Sequence, residues 1–382
     1  MSTVTKEDVL QALRQVVDPD LGRDIVSLGF VTQNAVCEGT VKVTINLTTP
    51  ACPVKDQMQA QATELIRALP GVTEVSVEMT AEVRGNAGRE RVIAPEVKHF
   101  IAVSSGKGGV GKSTCAVNLA VALAQTGARV GILDCDVYGP DVPMMMGLTG
   151  QPDQQGAKLI PKERHGVKTM SIGYLLEEDK PIIWRGPMVH KLIEQFLSDV
   201  EWGALDYLLV DMPPGTGDAQ LSLAQTVPLT GAVLVTTPQA VSTFDVGKAI
   251  GMFKQVEVPI LGLVENMSGY TIEGMLDGAT SGKVKLHTGV EEVELDIDPE
   301  GRFRTVVNVF GSGGAERLAK RHGFPVLGQV PLNPAVRVGG DGGDPITVSQ
   351  PDSPLAAAWR EIAGGFAQRV AIREHAELPI LQ

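Results

Sequence analysis

The stretch SSGKGGVGKST, from Ser104 to Thr114, follows the apolar run FIAVSS and precedes a segment of helical period. A buried-type strand, a glycine-rich turn and a helix in that order leave few folds open, because the turn matches Gly-x4-Gly-Lys-Ser from Gly106 to Ser113. Glycine lets successive backbone N–H groups turn inward around β- and γ-phosphate oxygens with no Cβ in the way. Lys112 places a compact positive charge on those phosphates, the Ser113 hydroxyl suits Mg²⁺, and the helix adds its N-terminal dipole. The expected nucleotide contacts are therefore Gly106, Lys107, Gly108, Gly109, Val110, Gly111, Lys112, Ser113 and Thr114.

From Phe100 onward the runs FIAVSS, RVGILDCD, YLLVDMP, GAVLVTTP, ILGLVENM and VLGQVPL alternate with helical segments. Short continuous apolar runs of this kind predict a mostly parallel sheet covered by helices on both faces, an α/β P-loop NTPase fold over residues 99–382. Within it SGKVKLHTGVEEVELDIDPEGRFRTVVNVF predicts a hairpin insertion near 281–310, turning at Pro299-Glu300-Gly301.

Residues 1–84 differ in pattern and predict a small α+β domain of order αββαβ. Thr5 and Asp8 form a capping-box pattern ahead of Val9, Leu10, Leu13 and Val16. Two strands flank Glu38-Gly39, a second helix ends at Pro70-Gly71, and VTEVSVEM alternates as a last strand. The polar stretch 85–98, broken by glycine and proline, is the expected linker.

Two further carboxylates suit a metal site. Asp211 ends YLLVD at the carboxyl end of a strand, where a Walker B aspartate belongs. Asp134 and Asp136 end another strand, and Asp136, further out, is the better placed to meet Mg²⁺ or the attacking water. Ser113, Asp136 and Asp211 are the expected Mg²⁺ ligands.

The form Gly-Lys-Gly-Gly-Val-Gly-Lys-Ser, with a second lysine at Lys107, resembles the deviant Walker A motif of the SIMIBI-class ATPases, among them MinD, ParA and the nitrogenase iron protein. That resemblance implies a sandwich dimer in which Lys107 reaches the phosphates held by the other subunit. Extra positive charge supplied across a dimer would couple hydrolysis to pairing, so Lys107 and Lys112 join Asp136 as the expected catalytic groups.

PIIWRGPMVHKLIEQFL, DVEWGALDYLLVDMPPGTGDAQLSLAQ, TTPQAVSTFDVGKAIGMF, VENMSGY and VRVGGDGGDPITVSQPDSP together resemble the Mrp/ApbC family of iron–sulfur cluster carrier ATPases. DPDLGRDIVSLGFV and TTPACPVKDQM resemble its N-terminal MIP18-like (DUF59) domain. The resemblance spans nearly the whole chain. It implies a cytoplasmic homodimer that binds and slowly hydrolyses ATP, passes a labile [4Fe-4S] cluster to apo iron–sulfur proteins or assembly partners, and places Asn266 on the adenine base.

The chain departs from that family after NMSGY, where the family carries Cys-Pro-x-Cys. Ile272, Glu273, Gly274 and Met275 stand there instead, and no cysteine follows Cys135. Two cysteines from each of two subunits would supply the four thiolates a [4Fe-4S] cluster usually takes, and Glu273 or Met275 are poor substitutes. Of the four cysteines, Cys52 precedes Pro53, which predicts a helix N-cap where the dipole lowers a thiol pKa. It is the expected reactive thiol or cluster ligand, with a buried core cysteine as the alternative. Cys37 and Cys115 are expected in the core, and Cys135, between two aspartates, is expected to be unreactive.

A net charge of −12 offers no bulk attraction to nucleic acid or to an anionic membrane. No apolar stretch approaches the roughly 20 residues that span a bilayer. A start without a basic, apolar leader and cysteines without a spaced framework suit the cytoplasm. A MinD-like membrane helix would need a lysine-rich face, whereas the C-terminal segment aligns Leu355, Trp359, Ile362, Phe366 and Val370 and predicts a packed closing helix. Two readings thus stand beside the carrier: an ATP-dependent assembly scaffold without a cluster, and a positional ATPase of the MinD/ParA kind.

Overall fold

The computed structural model describes residues 4–37, 39–83, 93–175 and 186–377. Glu38 of the first predicted turn, most of the predicted linker and the PIIWR part of one family-like stretch lie outside the described residues.

The N-terminal domain has the predicted order, with an unpredicted two-residue antiparallel pair, Val17–Asp18 with Arg23–Asp24, between its first helix and first long strand. Helix α1 (Lys6–Leu13) opens on the Thr5/Asp8 capping box. Strands β1 (Val31–Cys37) and β2 (Thr40–Leu47) pair antiparallel, helix α2 (Lys55–Arg67) crosses over, and β3 (Glu74–Ala81) returns parallel to β2. β2 is central and places Val41, Val43 and Ile45 against Val9, Leu13, Met58 and Ile66. Gly39 adopts φ +86°, and a Cβ there would lie 2.8 Å from the Gly71 carbonyl oxygen, so this turn requires glycine.

The larger domain starts with β4 (Val97–Ser105), whose first two residues fall inside the predicted linker; the run VKHFIA pairs with its neighbour from Val97 because Leu205 lies opposite it. There follow α3 (Lys112–Gln125), β5 (Val130–Asp134), β6 (Lys162–Arg164), β7 (Val167–Ser171), α4 (Gly186–Asp199) and β8 (Leu205–Asp211). Then come α5 (Asp218–Thr226), β9 (Gly231–Thr236), α6 (Ala240–Gln255) and the long β10 (Ile260–Met275). From β6 to β10 the sheet order is β6-β7-β5-β8-β4-β9-β10, and within this stretch every pairing is parallel except that of the edge strand β6. Successive residues of β4 explain the unbroken apolar runs: Ile101 and Val103 face one core, Phe100 and Ala102 the other.

The insertion differs from the predicted hairpin. β10 does not stop at the sheet but runs on, and its outer half pairs antiparallel with β13 (Arg302–Val307), reached after β11 (Lys283–His287) and β12 (Glu292–Asp296). β11 and β12 pair with each other, closing at Thr288–Glu291, whereas Pro299-Glu300-Gly301 only links β12 to β13. That turn is real, with Asp298 accepting the Glu300 and Arg302 amides. Its flanking segments were expected to pair with each other because both alternate, but both found other partners.

α7 (Gly314–His322), β14 (Val326–Leu332) beside the inner half of β10, α8 (Pro334–Gly342) and α9 (Pro354–Glu377) complete the chain. α9 is the packed closing helix predicted: Leu355, Trp359, Ile362, Phe366 and Val370 are all buried against the sheet and α3. Among the described residues no helix is long and apolar enough to cross a membrane. The N-terminal domain rests on α9: the Gln368 amide donates to Asp20, a Cβ at Gly364 would lie 3.4 Å from the Ala51 carbonyl oxygen, and Ala51 and Val83 join the larger core.

Phe366 is fully buried, its ring centroid 5.4 Å from that of Tyr207 in an edge-to-face pair. Phe366→Ala should lower the unfolding free energy by about 3–5 kcal/mol. Leu276→Ala, at an exposed position, should stay within about 0.5 kcal/mol. Urea unfolding of both variants checks the contrast.

Candidate nucleotide site

The carboxyl ends of β4, β5 and β8 meet at the loop between β4 and α3, so residues far apart in sequence converge there. Gly109 and Gly111 adopt φ of +78° and +80°. Gly111 has a second reason to lack a side chain, since a Cβ would stand 2.3 Å from the Asn266 amide nitrogen. Gly106 presses against α6, where a Cβ would meet the Asp245–Val246 backbone at 2.2–2.6 Å.

Lys112 is 6% exposed and lies among the predicted carboxylates. Its Nζ stands 2.5 Å from Asp211 Oδ1, 3.8 Å from Asp136 Oδ2 and 3.2 Å from Ser113 Oγ. Burial alone would depress the ammonium, but Asp211, then Asp136 and Asp134, outweigh it and hold Lys112 above the ordinary lysine value. Asp134, fully buried, is pushed up by desolvation and next by the Asp211 charge, while the Ser171 hydroxyl donates to it at 2.8 Å. Asp136, raised by its own burial, accepts the Tyr138 and Gly139 amides, each at 3.3 Å. Asp134 in turn accepts the Asp136 amide, so the inner aspartate shapes the loop that carries the outer one.

These groups fit Mg²⁺. The second oxygen of Asp211, Oδ2, is buried and has no hydrogen-bond partner, which a native fold tolerates where an ion or ligand group completes the site. Among the described residues no three His, Cys, Asp or Glu side chains form a metal cage. Mg²⁺ asks for none, since it keeps waters and takes one or two carboxylates with substrate phosphates. Ser113, Asp136 and Asp211, the predicted ligands, are brought together; Lys107 is not in their cluster. Its Nζ lies 3.5 Å from Gln239 Oε1, on the segment leading into α6.

Asn266 lies beside the loop, but its amide nitrogen donates to the Val110 carbonyl at 2.9 Å. It forms one wall of a cleft of about 190 Å³ whose other walls include Met145, Asn333, Val336, Arg337 and Asp341. The sequence reading passed over this second wall. Its signal was Asn333-Pro334 after a strand: Asn333 caps α8 by accepting the Ala335 amide at 2.8 Å, and the helix then carries the Arg337–Asp341 ion pair at 2.6 Å.

The cysteines depart from expectation at two places. α2 begins at Lys55 with Val54 as its cap, so Cys52 stands before the helix end rather than on it. Burial pushes the Cys52 thiol up; amide hydrogen bonds oppose this only in part, and the Asp18 and Asp20 carboxylates add to the rise. The dipole effect predicted for an N-cap thiol is therefore overturned. Cys37 is exposed at the end of β1, not in the core. Cys115 and Cys135 are buried, with thiols raised by desolvation, as expected. Ile272 to Met275, which stand in the place of the Cys-Pro-x-Cys motif, lie in the outer half of β10, opposite Thr305 to Arg302.

Comparison with known proteins agrees with this geometry. Residues 96–281 and 290–367 match the ParA family, described as NUBPL iron-transfer P-loop NTPase, and residues 6–77 match the iron–sulfur cluster assembly protein family. The iron–sulfur cluster carrier protein of Synechocystis sp. is 47% identical over 97% of this chain and 99% of its own. The chloroplastic Fe-S cluster assembly factor HCF101 of Arabidopsis thaliana is 41% identical over 97% of this chain and 65% of its own. Among solved structures, a nucleotide-binding protein of Archaeoglobus fulgidus in complex with ADP superposes with a TM-score of 0.52 at 34% identity, over 69% of this chain and 91% of that one. With a P-loop backed by Asp211 and an N-terminal domain of the assembly type, the chain belongs to the ParA-type iron-transfer P-loop NTPases, the family of the iron–sulfur cluster carrier proteins.

Proposed function

We propose that the chain is a homodimeric, Mg²⁺-dependent ATPase of iron–sulfur cluster assembly that carries a cluster to apo-proteins in the cytoplasm. The observation that carries the ATPase part is the Lys112–Asp211–Asp136 constellation with its unpartnered Asp211 oxygen. In this reading the loop amides and Lys112 bind the β- and γ-phosphates, while Ser113 and Asp211 hold Mg²⁺, which neutralises developing charge on the phosphates. Asp136 orients the attacking water, and Lys107 of each subunit completes the charge on the other's phosphates. Lys107 stands beside the loop and is not engaged by the Asp211 carboxylate, which suits a role across a dimer. The cleft between Asn266 and α8 takes the base.

The cluster is cargo, and its ligands are where this chain differs from the family pattern. Cys115 and Cys135 are buried in the apolar cores. Cys52 lies in a small cavity with Asp18, Asp20 and Gln368 between the domains, and is the ligand this reading selects. A specific observation favours a second reading, an assembly scaffold without a cluster: the outer half of β10 is ordered as a paired strand at the place of the family's cysteines.

Lys112→Ala should lower ATP affinity by at least about a hundredfold, the loss of a buried phosphate-binding charge being worth about 3 kcal/mol or more. Lys107→Ala should bind ATP as the wild type does and lose turnover, as read by nucleotide titration and phosphate release; unchanged turnover would remove the cross-subunit lysine. Anaerobic reconstitution with iron and sulfide should give a visible iron–sulfur spectrum that Cys52→Ala lacks. A wild-type protein that takes up no iron would favour the scaffold instead. Because the Cys52 thiol is raised, its alkylation at pH 7 should be slower than that of a free thiol and should accelerate as pH rises toward its pKa.

A further inference from the structure

Glu265 is a buried carboxylate that the nucleotide chemistry above does not use. It is 1% exposed, on β10, immediately before Asn266. One oxygen, Oε2, accepts the Ala315 amide at 2.7 Å, and the other, Oε1, accepts the Gln329 side-chain amide at 3.1 Å. The first of these bonds fixes the start of α7, where an amide would otherwise lack an acceptor.

What α7 touches there gives the contact its meaning. Gly314, the first residue of the helix, lies against the segment between β9 and α6. A Cβ on it would stand 2.6 Å from the Pro238 carbonyl oxygen and 2.9 Å from Thr243 Cγ2. The same segment is held from its other side by Ser242, whose hydroxyl accepts the Thr237 amide at 3.1 Å and meets the Thr236 hydroxyl at 2.9 Å. The next residue along is Gln239, whose Oε1 faces Lys107 Nζ. A continuous series of neighbours therefore runs from Glu265 through Ala315 and Gly314 to Pro238, Gln239 and, at 3.5 Å, Lys107.

We propose that Glu265 is a positioning residue for Lys107: by holding the start of α7 it presses Gly314 onto Pro238–Gln239 and so sets where the lysine stands. This rests on Lys107 acting in turnover. Glu265 touches neither phosphate-binding backbone nor metal ligand, so its removal should leave nucleotide affinity intact while displacing the lysine. A misplacement of about 1 Å at a reacting group can cost up to about a hundredfold in rate.

ATP affinity and kcat should be measured side by side for Glu265→Ala, Glu265→Gln, Gly314→Ala and Lys107→Ala, in the full chain. Glu265→Ala should lose about tenfold to a hundredfold in kcat with unchanged ATP affinity. Glu265→Gln keeps an oxygen for the Ala315 amide and should recover most of the rate. Gly314→Ala retains the carboxylate but crowds Pro238, and should show the same split, so the inference does not depend on one variant folding. Wild-type kcat in both Glu265→Ala and Gly314→Ala, or affinity and kcat falling in proportion, overturns the inference while Lys107→Ala still loses turnover. Full turnover in Lys107→Ala overturns the underlying reading and the inference with it.

Discussion

The Lys112 ammonium and the Asp211 carboxylate, 2.5 Å apart and almost wholly shielded from water, form the contact around which the larger domain is arranged. A lone charge at that depth would cost several kcal/mol, and each partner makes the other's burial tolerable. The arrangement that brings them together is the sheet itself: β4 delivers the loop, and β8, its parallel neighbour, delivers Asp211 in register with Val103. Asp134 enters from the next strand, opposite Asp211, and organises the Asp136 loop. Lys112 is compensated by the Asp211 and Asp136 carboxylates. In the proposed reading a triphosphate would engage Lys112, and Asp211 would help hold the Mg²⁺ that neutralises phosphate charge.

The glycines of the loop belong to the same constraint. Gly106 and Gly111 are closed in by α6 and by Asn266, so the loop's shape is imposed from both sides as well as by its own dihedrals. The two outside contacts, Asn266 to Val110 and Gln239 to Lys107, come from β10, which also carries Glu265, and from the segment after β9, which also carries Pro238. The loop and its surroundings are therefore one packed unit.

Much of this was legible in sequence because parallel strands buried on both faces leave continuous apolar runs, and the loop has fixed spacing. The six runs became six adjacent parallel strands, and Ser113, Asp136 and Asp211 met. Partner choice was less legible. The segments around Pro299-Glu300-Gly301 alternate as strands should, but alternation does not say which strand lies opposite, and β13 pairs with β10. The start of α2 was misplaced because Pro53 is compatible with a first helical position without requiring it. Burial, which no local pattern announced, then raised the Cys52 thiol instead of lowering it. The α8 wall of the cleft escaped notice because it lies about 70 residues from Asn266 in sequence, and only the strand register joins them.

The central claim is that Asp211, besides pairing with Lys112, would hold the Mg²⁺ of a bound nucleotide. The direct test is nucleotide affinity of the wild type and of Asp211→Asn, each with Mg²⁺ and with a chelator. The account predicts that Mg²⁺ tightens binding by the wild type and that Asp211→Asn still binds nucleotide but loses this enhancement. An equal Mg²⁺ enhancement in both proteins would contradict it.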